Sequence, residues 1–251
     1  MVPVREIGVA VCGAATLLAL VGFSSGASAH NESQAVTMLG APLTLVQSTT
    51  ALSPPTLRFQ RDGRLHAAWI EKNGVQGEVK TAALSADHSA VAQVSVNPPG
   101  AGPEAVHQSP GFAIGVDGEQ FVTWSSANKT PGALFASDLR LARLDSGGAR
   151  VQPPVQVNDD GLAISHTFEH VIAGKNGESY VAWLDGRNKD RSGAGIMFAC
   201  SQDHGATVGK NLVLDGMACP CCRPMLAQAP DGSLWVAWRK TFEGNVRDIV
   251  V

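Results

Sequence analysis

The feature of this sequence that most constrains its fold is a short motif that occurs four times. An Asp-Gly or Asn-Gly pair is followed by five residues and then a tryptophan. The tryptophans are separated by 55, 59 and 55 residues, so the motif repeats at a nearly constant period. Such a period indicates a repeat architecture, in which equivalent units stack on one another. The tryptophans that define the four repeats are Trp69, Trp124, Trp183 and Trp238.

Each repeat has the pattern of a β-hairpin. Asp-Gly and Asn-Gly pairs favour a two-residue type I′ turn, because both of its central residues need positive φ. The strand after the turn ends at the tryptophan and is largely apolar on both faces, as in the segment 120–124. Because side chains alternate between the faces of a strand, we expect each of these strands to be packed on both sides. A ring stands three residues before each tryptophan, at His66, Phe121, Tyr180 and Trp235.

Further strands are predicted after the tryptophans of the first three repeats, at 78–84, 139–144 and 196–201. A period of about 55 residues accommodates four short antiparallel strands, which is the content of one propeller blade. We therefore predict an all-β protein. A leader at 30–54 is expected to precede a β-propeller that occupies 55–251.

One turn in the third repeat resembles a known structural motif. The run Ser-Gln-Asp-His-Gly-Ala-Thr-Val at 201–208 resembles the Asp-box, or BNR repeat, whose pattern is Ser-x-Asp-x-Gly-x-Thr-Trp. Val208 replaces the final Trp, and 85–89 looks like a degenerate copy. Asp-boxes join the third and fourth strands of blades in sialidase-like propellers, and the Trp-Leu-Asp-Gly-Arg run at 183–187 is also similar to those sequences. The structural Asp-box residues are Ser201, Asp203, Gly205 and Thr207.

The resemblance to sialidase-like propellers covers 55–251 and implies six blades and a glycan-directed function. This sequence supplies about three and a half blades, because the fourth repeat stops within its third strand at 247–251. An open array of blades exposes an unpaired strand edge that is prone to aggregation. We therefore expect a further segment or a second chain to complete the propeller.

The N-terminus is predicted to be a targeting segment rather than part of the propeller. Arg5 precedes an apolar run at 7–23, and Ala27-Ser28-Ala29 forms a small-residue cleavage site before His30. A signal peptide at 1–29 predicts a secreted or periplasmic protein that has no membrane attachment after cleavage. The formal net charge of -3 gives no reason to expect a nucleic-acid partner.

Candidate binding residues lie in two places. Asp185, Arg187 and Arg239 follow their tryptophans, where the second strand ends, and Glu169 and Arg223 lie near the expected start of the first strand of a blade, at the axial face of the propeller. The resemblance implies that this face takes a glycan or another small polar ligand. Tyr180 is the single tyrosine, and it shares its repeat position with packing rings, so a sialidase-type tyrosine nucleophile is not predicted. The candidates are Asp185 and Arg223 for catalysis, and Arg187, Arg239 and Glu169 for ligand binding.

Cysteine and histidine side chains near the same face suggest a second kind of chemistry. Thiolate and imidazole ligands suit zinc or Cu(I), so copper or zinc is a possible cofactor. In an oxidising compartment the same cysteines can form a disulfide, and redox chemistry is a third alternative. The candidate metal ligands are Cys219, Cys221, Cys222, His107, His166 and His170. The candidate disulfide partners are Cys200, Cys219, Cys221 and Cys222, with a bridge from Cys200 to one of the other three as the simplest pairing.

Three functions are compatible with these patterns. The first is a glycan-directed protein of the sialidase-like class, either a glycoside hydrolase or a non-catalytic relative. The second is a secreted copper- or zinc-binding protein that uses the cysteine cluster. The third is a protein-interaction scaffold, because a propeller fold does not fix function.

Overall fold

The computed structural model describes residues 46–74, 76–84, 93–103, 108–187 and 194–251. Several sequence predictions lie outside these ranges: the signal peptide at 1–29, most of the leader, the degenerate Asp-box at 85–89, and His107 as a metal ligand. A search of the described residues finds no helix with the length and apolar character needed to span a membrane.

Strands account for nearly all of the regular structure in these ranges, and the exception is a 3-10 turn at Glu243–Asn245. The strands are, in chain order, β1 (Ala51–Leu52), β2 (Thr56–Phe59), β3 (Leu65–Asn73), β4 (Gln76–Ala83), β5 (Val94–Ser95), β6 (Gly111–Ile114), β7 (Gln120–Ala127), β8 (Ser137–Leu144), β9 (Val155–Gln156), β10 (His166–Ala173), β11 (Ser179–Asp185), β12 (Ala194–Ser201), β13 (Leu212–Ala218), β14 (Met225–Gln228), β15 (Leu234–Thr241) and β16 (Arg247–Val250).

These strands form four successive antiparallel meanders, which we call blades 1 to 4. Blade 1 contains β2 to β5, blade 2 contains β6 to β9, blade 3 contains β10 to β13, and blade 4 contains β14 to β16. The first strands of the blades pack on one another, β2 on β6, β6 on β10 and β10 on β14. These four strands therefore line a common axis. The short β1 joins blade 1 by pairing with the end of β3.

The Asp-Gly turns differ from the expected type I′ geometry. In blade 1 the Gly63 N–H donates to the Gln60 carbonyl at 2.9 Å, and the Gln60 N–H donates to the Arg64 carbonyl at 2.9 Å. Gly63 has a φ of 84°, whereas Asp62 does not have a positive φ. The loop therefore has three residues, 61–63. It is a type I turn whose last loop residue, Gly63, lies in the left-handed region. The prediction of a hairpin at this position was right, and the prediction of its turn type was wrong.

Hydrophobic clusters fill the spaces between adjacent blades. Trp124 and Val122 pack with Ile70 and Val79 of blade 1. Phe121 lies on the opposite face of the same strand and packs in a cluster with residues of blade 3. The two faces of β7 are therefore both buried, as the two-sided apolar pattern predicts.

The rings three residues before the tryptophans differ sharply in exposure. His66 and Phe121 are 1% and 0% exposed, whereas Trp235 of blade 4 is 57% exposed. Tyr180 is half-buried and stacks on Phe198 with ring centroids 6.3 Å apart. Equivalent positions in the repeat thus have different surroundings in the first and last blades.

Candidate functional site

A β-bulge near the start of β10 gives this strand an irregular geometry at the axial face. Thr167 pairs with Leu184 and His170 pairs with Ala182, so two residues of β10 lie opposite one residue of β11. Within the bulge Phe168 has a φ of 57°, a conformation that is unusual for a bulky side chain. Bulges of this kind redirect side chains and occur frequently beside functional sites. The residue that follows Phe168 is Glu169.

Glu169 contributes to a cleft of about 280 Å³. The Glu169 side chain is buried, whereas Phe135 on the same cleft is 89% exposed and has a φ of 61°. The cleft therefore combines a buried carboxyl with an exposed aromatic ring. Its lining residues are Ile70, Pro103, Gln108, Ser109, Trp124, Ser125, Ala127, Phe135, Ala136, Ser137, Ser165, Thr167 and Glu169.

The Glu169 carboxyl is poised to carry a proton. Burial raises its pKa, and this effect exceeds the opposing influence of the Arg223 charge and of hydrogen bonds from backbone N–H groups and Ser125. The Ser125 hydroxyl lies 2.7 Å from the His166 carbonyl and 3.5 Å from Glu169 Oε2. Because a hydroxyl has one proton to donate, its bond to the His166 carbonyl leaves the contact with Glu169 weak. Glu169 thus retains hydrogen-bonding capacity.

Two arginines add positive charge near this part of the axis. Arg223 Nη2 donates to the carbonyl of Ser109, a cleft residue, at 2.9 Å. Burial and the charge of Arg223 together lower the pKa of the Arg58 guanidinium. The candidate catalytic residue Arg223 therefore lies behind the cleft wall rather than among its lining residues, and it acts there through its charge and its bond to Ser109.

His170 is held as a neutral imidazole. The Leu226 N–H donates to His170 Nδ1 at 3.0 Å, which requires this nitrogen to be unprotonated. Burial, followed by the charges of Arg58 and Arg223, lowers the pKa of His170 to about 4. With Nδ1 accepting this bond, the neutral ring carries its proton on Nε2, and His170 is not part of the group formed by the three cysteines.

His166 is placed in a buried carboxylate cluster instead of near the cysteines. Its Nδ1 lies 2.5 Å from the Ser137 carbonyl, and its Nε2 lies 3.2 Å from Asp160 Oδ2 and 3.6 Å from Asp185 Oδ2. The carbonyl requires a proton on Nδ1, and the carboxylates attract one on Nε2. Burial opposes ionisation of Asp160, but interactions with His166 and hydrogen bonds from Asn158 and the Leu162 N–H together hold its pKa below the ordinary value.

Asp185 has no free hydrogen-bonding capacity for catalysis. Trp183 Nε1 donates to Asp185 Oδ2 at 3.0 Å, and Arg187 donates through its Nε, Nη2 and backbone N–H at 2.8, 2.9 and 3.0 Å. The Asp185 side chain is fully buried, and the carboxylate is bound bidentately by the guanidinium. Asp185 and Arg187 therefore form a buried ion pair and are not among the described lining residues of the cleft, and the catalytic role of Asp185 and the ligand-binding role of Arg187 stay predictions.

The three clustered cysteines are brought together by a tight turn after β13. The Cys222 N–H donates to the Cys219 carbonyl at 3.3 Å, and Pro220 occupies the second position of this turn. The Sγ atoms lie 3.5 Å apart for Cys219 and Cys221, 3.4 Å for Cys219 and Cys222, and 3.9 Å for Cys221 and Cys222. All described cysteines are free thiols.

The thiols of this turn ionise unequally. Burial opposes ionisation of Cys219, but hydrogen bonds from the Cys221 backbone and from the neighbouring thiols bring its pKa down to about 7. Hydrogen bonds to Cys219 and Cys222 raise the pKa of Cys221.

The candidate ligand-binding residue Arg239 is exposed, and its Nη1 lies 3.8 Å from Cys222 Sγ.

Cys200 is separated from the other cysteines by the register of blade 3. Ala194 at one end of β12 pairs with Ala218, which precedes Cys219. Cys200 lies six residues farther along β12, a distance of about 20 Å at roughly 3.3 Å per residue. A disulfide requires Cα atoms within about 7 Å of each other. The expected bridge between Cys200 and the cluster is therefore incompatible with this structure.

The Asp-box residues form a closed hydrogen-bonded turn between β12 and β13. Asp203 accepts bonds from the Ser201 hydroxyl at 2.7 Å and from the Thr207 hydroxyl and backbone N–H at 2.6 and 2.9 Å. The Ser201 hydroxyl oxygen accepts the Gly205 N–H at 2.8 Å. These side chains stabilise the turn by hydrogen bonds, and they are not among the described lining residues of the cleft.

Sequence reasoning missed several residues that shape the cleft. Phe135 lies outside the repeat pattern, and its high exposure is a property of the loop between β7 and β8. Arg58 does not line the cleft, and its influence on His170 was missed because the first strand of blade 1 carries no motif. The Leu-Phe pair that follows Pro-Gly at 131–132 was an available signal, since exposed aromatic residues in loops are uncommon.

Comparisons with known proteins bear on the fold. No protein-family model matches the sequence, and no curated protein matches it. Among solved structures, an alpha-L-arabinanase from Penicillium chrysogenum complexed with arabinobiose is similar with a TM-score of 0.53 and 17% identity, over 82% of this chain and 66% of that chain.

Two further solved structures show weaker similarity. An endo-arabinase from Bacteroides thetaiotaomicron VPI-5482 has a TM-score of 0.48 and 13% identity, over 78% of this chain and 72% of that chain. A xylan beta-1,4-xylosidase from Bacillus halodurans C-125 has a TM-score of 0.48 and 12% identity, over 80% of this chain and 41% of that chain. This chain thus spans just under two thirds of the arabinanase and less than half of the xylosidase.

At these levels of identity, structural similarity is informative about fold alone. The described residues form curled antiparallel sheets around an axis, as in the similar arabinanase. The prediction of an all-β propeller is confirmed, whereas these comparisons do not support the finer six-bladed sialidase type. The chain is an all-β protein with the β-propeller fold.

Proposed function

We propose that this protein binds a carbohydrate in the cleft beside the bulge of β10. The observation that carries the proposal is the pairing of a buried Glu169 with an exposed Phe135 on one cleft. Ligand sites typically combine apolar walls with a few polar groups that fix orientation. This cleft has that composition, because hydroxyl-bearing side chains alternate with apolar ones along its lining.

The expected chemistry of binding follows from these groups. The Phe135 ring offers a flat apolar surface for the C–H face of a sugar. Glu169, with its raised pKa, donates a hydrogen bond to a sugar oxygen when it is protonated. Ser165 and Thr167 supply further hydroxyl groups at the cleft wall. The result is a mainly apolar pocket with a few polar groups and an exposed aromatic wall, which suits a saccharide.

The described part of the cleft supports binding better than hydrolysis. Most glycoside hydrolases use two carboxyl groups, separated by about 5–5.5 Å in retaining enzymes and about 6.5–9.5 Å in inverting enzymes. Glu169 is the single carboxyl group among the described lining residues. A hydrolytic function would therefore need a second carboxyl from another part of the protein.

The finer assignment to the sialidase-like class is part of this proposal. It is supported by the closed hydrogen bonding of the Asp-box around Asp203, and by the positive charge of Arg223 behind the cleft. An acidic sugar is then the favoured ligand, since a carboxylate is attracted to arginine. Completion of a six-bladed ring by another segment or chain, and a secreted or periplasmic location, belong to the same proposal.

Calorimetric titration of the full chain tests the proposal. Arabinobiose serves as the neutral probe, and a sialoside serves as the acidic probe. We expect Phe135→Ala to weaken binding of whichever probe binds by about tenfold, the effect typical of losing an aromatic anchor. We expect Glu169→Gln to bind as the wild type does at a pH where the native carboxyl is protonated, and to lose the pH dependence of wild-type binding, because the amide is a neutral group that donates at every pH.

Phe59→Ala is the matched control, because Phe59 is 73% exposed and does not line the cleft. It should bind as the wild type does. Failure of the wild type to bind either probe, or equal binding by the Phe135→Ala and wild-type proteins, would contradict the proposal. Preference for the sialoside that is reduced in Arg223→Ala would support the sialidase-like assignment, and preference for arabinobiose would contradict it.

A further inference from the structure

We propose that the turn formed by Cys219, Cys221 and Cys222 is a binding site for a single Cu(I) ion. This site is separate from the carbohydrate cleft and does not depend on its function. The turn follows β13 and places three sulfur atoms within 3.9 Å of one another. These three thiols also form a ligand set whose donor atoms all lie within 4.8 Å of one another.

The sulfur separations match those of a shared metal ion. A metal–sulfur bond of about 2.3 Å gives a sulfur–sulfur edge of about 3.8 Å in a tetrahedral site and about 4.0 Å in a trigonal planar site. The observed separations are 3.4, 3.5 and 3.9 Å. The sulfurs therefore need to separate by only a few tenths of an ångström to accept an ion at their centre.

The number of ligands distinguishes copper from zinc. Structural zinc sites almost always have four protein ligands in a tetrahedral arrangement. The ligand set of this turn holds three thiols and, among the described residues, no histidine or carboxylate. Thiolates are soft ligands that select Cu(I), and Cu(I) accepts three of them. The all-sulfur set therefore favours Cu(I) over Zn²⁺.

The surroundings of the turn suit an anionic metal–thiolate group. Three thiolates and one Cu(I) carry a net charge of −2, and each thiol that binds the ion does so without its proton. Arg239 Nη1 lies 3.8 Å from Cys222 Sγ and offsets part of this charge. The Cys219 N–H bond to the Arg239 carbonyl at 2.8 Å fixes the turn against β15.

The three cysteines differ in burial, and this difference allows the bound Cu(I) ion to be exchanged with other ligands. Cys219 is 0% exposed and anchors the ion from the protein side, whereas Cys221 is exposed. An incoming thiol or thioether can therefore reach the ion from solvent. This arrangement is expected of a site that accepts or transfers copper, since a closed structural site would shield all of its ligands.

Anaerobic titration of the full chain with Cu(I), in competition with bathocuproine disulfonate, tests this inference. We expect one Cu(I) per chain, with three sulfur neighbours in the X-ray absorption spectrum. Cys221→Ser and Cys222→Ser should each weaken binding by far more than tenfold. Arg239→Ala should weaken it by about 10-fold, the lower end of the effect of losing a supporting residue, and Arg239→Lys should restore most of this loss.

Cys200→Ser is the matched control, because Cys200 lies at the far end of β12, and it should bind Cu(I) as the wild type does. Equal Cu(I) affinity in Cys221→Ser and Cys200→Ser would overturn the inference, as would tighter binding of Zn²⁺ with a fourth, non-sulfur ligand. Peptide mapping that finds Cys219 disulfide-bonded to Cys222 in protein isolated without reductant would overturn it as well. Failure of carbohydrate binding would leave these outcomes unchanged.

Discussion

Two clusters in the described part of this propeller consist of residues of the kinds that bind metals. They differ in how many hydrogen bonds and ion pairs their side chains already make. In the first, Asp185 accepts four hydrogen bonds from Trp183 and Arg187, and His166 bonds through both of its nitrogens. In the second, three thiols have mainly one another as partners. The first cluster is a structural ion-pair network, and the second is a site with unused ligand capacity.

This difference shows why proximity of ligand residues is insufficient evidence for a metal site. The positive charge of Arg187 offsets the carboxylates of Asp160 and Asp185, and His166 Nε2 lies within 3.2 Å of Asp160 Oδ2. A cation added there would have to displace Arg187. At the cysteine turn, by contrast, an added cation replaces only weak thiol–thiol contacts.

The largest expected effect comes from breaking the ion-pair network. Asp185→Ala leaves the Arg187 guanidinium and the Trp183 N–H without their buried acceptor. Loss of one partner of a buried pair typically lowers the free energy of unfolding by about 3–5 kcal/mol. Urea denaturation measures this loss.

Glu243→Ala is the control, because Glu243 is an exposed carboxylate near the end of blade 4. It should change the free energy of unfolding by no more than about 0.5 kcal/mol. A similarly small effect of Asp185→Ala would mean that the first cluster does not stabilise the fold.

The next largest effect is expected when Cu(I) is added, because the ion should bind one of the two clusters and not the other. Free Cu(I) at 100 times its dissociation constant should raise the free energy of unfolding by about 2.7 kcal/mol, since the ion binds the folded state. Asp160→Asn should retain the full increase, because its carboxylate belongs to the other cluster. Anaerobic denaturation with buffered Cu(I) measures both proteins. An increase that depends on Asp160 would reverse our assignment of the two clusters.

A smaller effect is expected at His170, a buried imidazole with one strong backbone partner. His170→Ala leaves the Leu226 N–H unpaired and should lower the free energy of unfolding by about 1–3 kcal/mol. Burial and the charges of Arg58 and Arg223 lower the folded-state pKa of His170 from its ordinary value of 6.5 to about 4. The unfolded chain therefore binds a proton more readily in this window, and the stability contributed by neutral His170 is present above pH 6.5 and lost as the pH falls toward 4.

Denaturation series across this pH range measure the contribution of His170. The wild type should lose stability between pH 6.5 and 4 more steeply than His170→Ala. Parallel pH profiles for the two proteins would show that His170 is not held neutral in the folded state.

The smallest effect is expected at the exposed member of the cysteine turn. Cys221→Ser without metal should alter the free energy of unfolding by no more than about 0.5 kcal/mol, because its side chain is solvent-exposed. Thermal unfolding under reducing conditions measures the change. A large loss would show that the thiol cluster is a structural element, like the carboxylate cluster.

Local patterns predicted the repeating part of the fold. The glycine-to-tryptophan spacing placed the hairpins, and the two-sided apolar strands indicated packing between blades, as the surroundings of Trp124 and Phe121 show. The turn type was mistaken because the sequence pair Asp-Gly suits both a two-residue and a three-residue loop. Only the hydrogen bond from Gly63 to Gln60 distinguishes them.

The candidate site was predicted less well, because it depends on contacts between residues far apart in sequence. The spacing of Cys219, Cys221 and Cys222 within four residues is a local property, and a proline-containing turn brings their sulfurs together. The partners of His166 lie on β8, on β11 and in the loop before β10, so no local pattern indicates that they meet. Phe135 became a cleft residue only through the packing of its loop near β10.

The sequence by itself determined the period of the propeller, the strands with two buried faces and the thiol-rich turn, because each depends on residues close together in the chain. Tertiary structure decided which polar side chains are fully hydrogen-bonded or ion-paired and which can bind a ligand. Hydrogen bonds and ion pairs depend on which strands and loops meet, and burial depends on what packs against each face. For that reason Asp185 lies in a buried ion pair, Glu169 lies on a cleft, and the repeat-equivalent rings Phe121 and Trp235 are buried and exposed, respectively.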